Sequence, residues 1–107
     1  MGKLVYDSTA HAVEIEDRTL AHLRIVVMNK LRRGECFMLD VEMADGSGGH
    51  RSLWLHPGVP LVFHFYGNRP PSINRAWVDE LMRAANSAHG LVLVPEPTER
   101  VQGSTQA

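Results

Sequence analysis

The chain has 107 residues, of which 44% are hydrophobic and 21% charged, with a formal net charge of -1 and a pI near 6.6. This composition belongs to an ordinary folded domain rather than a disordered or membrane chain, and no apolar run approaches the roughly 18 residues that span a bilayer. The charge balance lacks the basic excess of a protein that grips nucleic acid through many phosphates, and the single cysteine, Cys36, excludes an internal disulfide.

At this length one core is expected, occupying residues 1–97, with the polar residues 98–107 as a flexible C-terminal tail. The first ten residues hold no long apolar segment of the signal-peptide kind, so a cytoplasmic location is expected.

Residues 3–7 and 12–16 read as a short hairpin, with Val13 and Ile15 inward, Glu14 and Glu16 outward, and Asp7, Ser8 and Thr9 as the turn. Asp17 is placed to cap a helix whose stripe is Leu20, Leu23, Val27 and Leu31, and Gly34 to end it. Residues 36–44 alternate, with Phe37, Leu39, Val41 and Met43 on one face and Met38, Asp40 and Glu42 on the other. A Gly-rich connection, 45–49, leads to two further strands, 51–55 and 61–66. Ser72 or Asn74 then caps a second helix carrying Ile73, Trp77, Leu81, Ala84, Ala85 and Ala88, with Gly90 at its close and His89 near its negative end. Residues 91–94 supply a last strand.

The order is ββαβββαβ, which predicts an α+β fold: a mostly antiparallel sheet with both helices packed on one face. The third to fifth strands are expected to form a meander. Register matters most between 51 and 66, because a slip of one residue turns every side chain to the other face. Taking 56–60 as the loop gathers Leu53, Leu55, Leu61, Phe63 and Phe65 inward, each contributing roughly 1.5 to 3 kcal/mol when fully buried. Met38, Trp54, Val62, His64 and Tyr66 are then forced outward as a candidate interface.

A meander would also bring the loop after 44 and the loop 67–72 to one end of the sheet. There His50, Arg51, Arg69, Ser72, Asn74 and Arg75 would form a candidate anion-binding edge beside a helix start, where free N–H groups and arginines favour negative charge. His56, Arg32 and Arg33 fall at the opposite end, where cations offset the dipole of the first helix. The six histidines show no i,i+2 or i,i+4 pairing, so no metal site is expected. Asp40 and Glu42 share a strand face, but nothing near them in sequence suggests an activated substrate. GxSxG, GxxxxGK[ST] and GxGxxG are all missing, so no catalytic residue and no cofactor is assigned.

The strings MGKLVY, DRTLAHL, LRRGE, WLHP, NRPPSINRAW, LMRAANS and GLVLVPEP together resemble a family of small uncharacterised actinobacterial proteins, many labelled "ATP-dependent DNA ligase". That label implies a lysine nucleophile in a KxDG motif. The two lysines, Lys3 and Lys30, lie in no such motif, and the nearest string, 43–46, has Met43 at the nucleophile position. A thioether cannot form a phosphoramidate, so a complete ligase is not expected. The reading is a non-catalytic interaction domain that self-associates or binds a protein through its open sheet face, most simply as a homodimer. The alternative is an anion-binding or nucleic-acid accessory domain, linked to DNA repair or ligation, that uses the arginine edge. Nucleic acid is the weaker partner on the charge argument, and no membrane partner is expected.

Overall fold

The computed structural model describes residues 2–7, 11–42 and 49–98. Alternation sets the first two strands, β1 (Gly2–Tyr6) and β2 (Ala12–Ile15), which bury Leu4, Val13 and Ile15 and pair antiparallel with Leu4 opposite Val13. Asp7, at φ 73°, takes the left-handed conformation that leaves β1, while Ser8 and Thr9 lie outside the described residues.

Helix α1 (Asp17–Arg32) buries Leu20, Leu23, Val26 and Val27 along one stripe. Leu31 is half-buried, and Gly34, at φ 74°, closes the helix as its position predicts. Asp17 does not act as the cap. It is the first helical residue, and its carboxylate accepts backbone N–H groups from Tyr66 and Gly67 instead. Two distant donors converge on that carboxylate, which fixes the start of α1 against another part of the chain rather than against its own first turn.

Strands β3 (Phe37–Glu42) and β4 (His50–Leu55) pair antiparallel with Leu39 opposite Leu53. The Gly-rich connection expected between them falls largely in 43–48, outside the described residues. Strand β5 (Leu61–His64) is followed by helix α2 (Arg75–Ala85) and the short strand β6 (Leu91–Val92).

The α+β architecture and the ββαβββαβ order hold, but the expected single meander does not. The strands form two three-stranded sheets, β2-β1-β5 and β4-β3-β6. β5 leaves β4 and pairs antiparallel with β1, setting Phe63 opposite Leu4 and Leu61 opposite Tyr6. The reason is apolar matching: β1 has a free edge whose inward residues are Leu4 and Tyr6, and the loop 56–60 lets the chain cross to it. Tyr6 closes the crossing, its hydroxyl donating to the Trp54 carbonyl and accepting the His56 N–H.

The inward register survives the change of partner. Leu55 is buried, and Leu53, Leu61, Phe63 and Phe65 pack against the core. α1 packs on β1, α2 packs on β3 and β6, and the helices pack on each other, so each sheet has one helix-covered face and one outer face.

Helix α2 is shorter than its apolar pattern suggests. It buries Trp77, Val78, Leu81 and Ala85 and ends there, while Ile73 precedes it and Ala88 and His89 lie in the following turn. The Ser87 hydroxyl donates to the Ala84 carbonyl and holds that turn. Gly90, at φ 83°, is required by close approach as well as by conformation, since a Cβ there would lie 2.8 Å from the Met38 carbonyl oxygen. This contact lets β6 run parallel beside β3, with Leu91 opposite Leu39.

Candidate functional site

Pleating alone places the outward residues. Lys3, Val5, Ala12, Glu14, Val62 and His64 form the outer face of one sheet, and Met38, Asp40, Glu42, His50, Ser52, Trp54 and Val92 that of the other. Trp54 is 55% exposed, Val62 52%, Tyr66 51% and Val92 49%. Tyr66 lies beyond the end of β5, and its ring meets the His64 ring edge-on at 5.0 Å. Met38 is half-buried beside Gly90 and opposite Trp54. Val92 was not among the candidates, because β6 could not be paired with β3 from sequence.

The expected anion edge is divided among separate places. His50 and Arg51 are consecutive on β4 and point to opposite faces. His50 lines an acidic groove of about 570 Å³ with Glu14, Glu16, Asp40 and Glu42. Within it the Asp40 carboxylate accepts the Ser52 hydroxyl. Arg51 lines another groove with Tyr6 and Trp54, and Arg75 is exposed at the start of α2. Arg69 lines a third groove, of about 460 Å³, beside Arg24 of α1. Since β4 and β5 belong to different sheets, the meander that would have gathered these residues is absent. The cluster at the other end is also structural: His56 Nδ1 accepts the Gly58 N–H, Arg33 lies 3.6 Å from Glu35, and Arg32 donates to Asn29.

Ser72 and Asn74 enter a different constellation. Asn74 is fully buried, caps α2 by accepting the N–H groups of Ala76 and Trp77, and donates from its own amide to Glu96 and to the Pro97 carbonyl. Its backbone N–H donates to Nε2 of the fully buried His22 at 2.8 Å. That assigns the tautomer, with the proton on Nδ1 donating to the Arg18 carbonyl at 2.7 Å. The imidazole also lies against Trp77, ring centroids 4.6 Å apart, and the indole N–H donates to the Val94 carbonyl. Arg18 pairs with both oxygens of Glu96, at 2.9 and 2.6 Å, and donates to the Ser72 carbonyl. These partners, Arg18 first and Asn74 second, lower the Glu96 carboxyl to a pKa of about 2. Arg18, His22, Asn74 and Glu96 therefore form a polar clasp between α1, the start of α2 and the segment after β6.

The clasp joins three of the sequence strings: DRTLAHL supplies Asp17, Arg18 and His22, NRPPSINRAW supplies Ser72, Asn74 and Trp77, and VPEP supplies Glu96. The profile of one protein family runs over residues 1–96, which takes in the whole clasp. The chain belongs to the family described as Domain of unknown function (DUF7882). Neither the curated proteins nor the solved structures contain a match to it.

Lys30 of the DUF7882 domain, one of the chain's two lysines, is buried and engaged. Its ammonium donates to Asn86 at 2.7 Å, pairs with Glu35 at 3.0 Å and lies 5.8 Å from the centre of the Phe37 ring. This arrangement joins the C-terminal ends of the two helices. Among the described residues no group of three histidine, cysteine or acidic side chains is placed to hold a metal, and no helix is long and apolar enough to cross a membrane.

Proposed function

We propose that the DUF7882 domain is a small cytoplasmic interaction module, without catalysis of its own, that pairs with a second copy of itself through its outer sheet faces. The observation that carries this reading is the exposure of Trp54, at 55%, together with Val62, Tyr66 and Val92. Tryptophan and tyrosine dominate interface energies. Because β4 and β5 lie in different sheets, the exposed apolar groups are divided between two faces rather than gathered in one patch, with Val62 on one and Trp54 and Val92 on the other. A second copy is the simplest partner, because a two-fold pairing lets each protomer bury its own exposed apolar groups against the same groups of the other.

The string nearest a KxDG motif, 43–46, has Met43 at the lysine position, so ligation is no part of this reading. Sedimentation velocity tests the reading. Wild-type protein should show concentration-dependent dimers that persist in salt, because apolar association is insensitive to screening. Trp54→Ala should sediment as a folded monomer with nearly unchanged stability, whereas loss of a core tryptophan would cost about 3 to 5 kcal/mol. A wild-type chain that stays monomeric at every concentration ends the proposal. Steeply salt-dependent binding to an oligonucleotide would favour the accessory nucleic-acid reading instead.

A further inference from the structure

The groove beside Arg69 differs from the rest of the surface in its chemistry. It lies between α1 and residues 65–73, and its apolar lining is Ala21, Ile25, Phe65, Pro70, Pro71 and Ile73. At about 460 Å³ it falls within the range of small-molecule sites, which run from roughly 300 to 1,000 Å³. Arg24 and Arg69 also line it, and neither side chain makes a hydrogen bond or ion pair with another described residue.

Asp17 is the one carboxylate in the lining, and it is already occupied. One oxygen accepts the Tyr66 N–H at 3.3 Å and the other the Gly67 N–H at 2.8 Å. Those bonds, Gly67 first, hold its carboxyl below the usual range, so it is ionised and leaves the lining with a net charge of one positive unit. The same two bonds anchor residues 66–67 to α1, and the Arg18 bond to the Ser72 carbonyl anchors the far end of the loop. With two adjacent prolines between these anchors, the wall opposite α1 is held in place before any ligand arrives.

We propose that this groove binds a carboxylate carried on an apolar body, with Arg24 and Arg69 taking the anionic head and Ile25, Phe65 and Ile73 covering the body. A single negative charge matches the lining, whereas a phosphate dianion would leave one charge uncompensated. A planar carboxylate also suits the two-pronged donation of guanidinium groups. The head group could belong to a free acid or to the end of a peptide, and the two sources are separable by experiment.

The test is an amide-shift titration of the intact 107-residue chain at low ionic strength with three probes: 2-naphthoate, its neutral amide and acetate. Naphthoate should saturate in the roughly millimolar range or tighter and shift the amides of Ala21, Arg24, Ile25, Gly67, Arg69 and Ile73. The amide and acetate should each bind far more weakly, one lacking the charge and the other the body. Arg24→Gln and Arg69→Gln should each weaken naphthoate about tenfold, as expected for loss of a charge-assisted pair. N-acetylphenylalanine represents a peptide end, and whichever acid binds more tightly identifies the source. Equal binding of the neutral amide, undiminished binding by both Arg24→Gln and Arg69→Gln, or shifts confined to the outer sheet faces would overturn the site.

Discussion

Helix α1 offers two neighbouring polar stripes to the same loop, and they are finished differently. Along one, Arg18 and His22 meet Glu96, Ser72 and Asn74, and both nitrogens of the imidazole are matched. Along the other, one residue round the helix, Asp17, Ala21 and Arg24 face the groove, and Arg24 finds no partner among the described residues. Both stripes carry an arginine, so residue type does not separate them. The difference is that the chain returns after β6 to bring a carboxylate to Arg18 and brings none to Arg24. A saturated cluster holds the fold together, while an unsaturated one keeps its donors for something else.

The strongest way to break this contrast is His22→Ala. It removes a ring packed on Trp77 and leaves the buried Asn74 N–H without an acceptor, so unfolding in urea should show a loss of about 3 kcal/mol or more. Next is Asn74→Ala, which removes the α2 cap and a partner of Glu96. The expected loss is about 2 kcal/mol, accompanied by reduced helix signal in circular dichroism.

Glu96→Gln should cost less, about 1 kcal/mol, because the Arg18 pair is partly exposed to solvent. Its effect has a defined pH dependence. The folded pKa of about 2 lies below the ordinary 4.5, so the contribution is fully present above pH 4.5 and is lost as pH falls through about 2. Wild type and variant should therefore differ in melting temperature at pH 6 and converge on acidification. An undiminished gap near pH 2 would show that the carboxylate charge is not the cause. Arg24→Gln and Arg69→Gln should be the mildest, within about 0.5 kcal/mol of wild type. A larger loss would mean that the open stripe is structural after all.

Local pattern carried much of the fold. The repeat of Leu20, Leu23 and Val27, the alternation of Phe37, Leu39 and Val41 and the Gly34 stop all depend on residues a few positions apart, and each reads directly from spacing, while the cap of α2 was narrowed to Ser72 or Asn74 and falls on Asn74. The inward set Leu53, Leu55, Leu61, Phe63 and Phe65 was legible for the same reason. The partner of β5 was not, because a loop such as 56–60 serves a hairpin and a crossing between sheets equally well. His22 looked like a solitary histidine because its acceptor role is completed by Asn74, 52 positions later. Arg24 gave no signal, since an arginine on a helix is ordinarily solvated and only the wall at 65–73 turns its surroundings into a groove.

The ion pair between Arg18 and Glu96 joins positions 78 apart. Asn74 needs the same late segment, through Glu96 and the Pro97 carbonyl, to satisfy its buried amide. While the chain is being synthesised, α1, the β1–β2 hairpin and the β3–β4 pair can assemble before that segment exists. The start of α2 cannot finish its burial until it does. Contacts of such long sequence separation close late and slowly. A nascent chain halted before Glu96 would therefore carry an uncovered Asn74 and Trp77 edge, a ready surface for quality-control machinery to recognise.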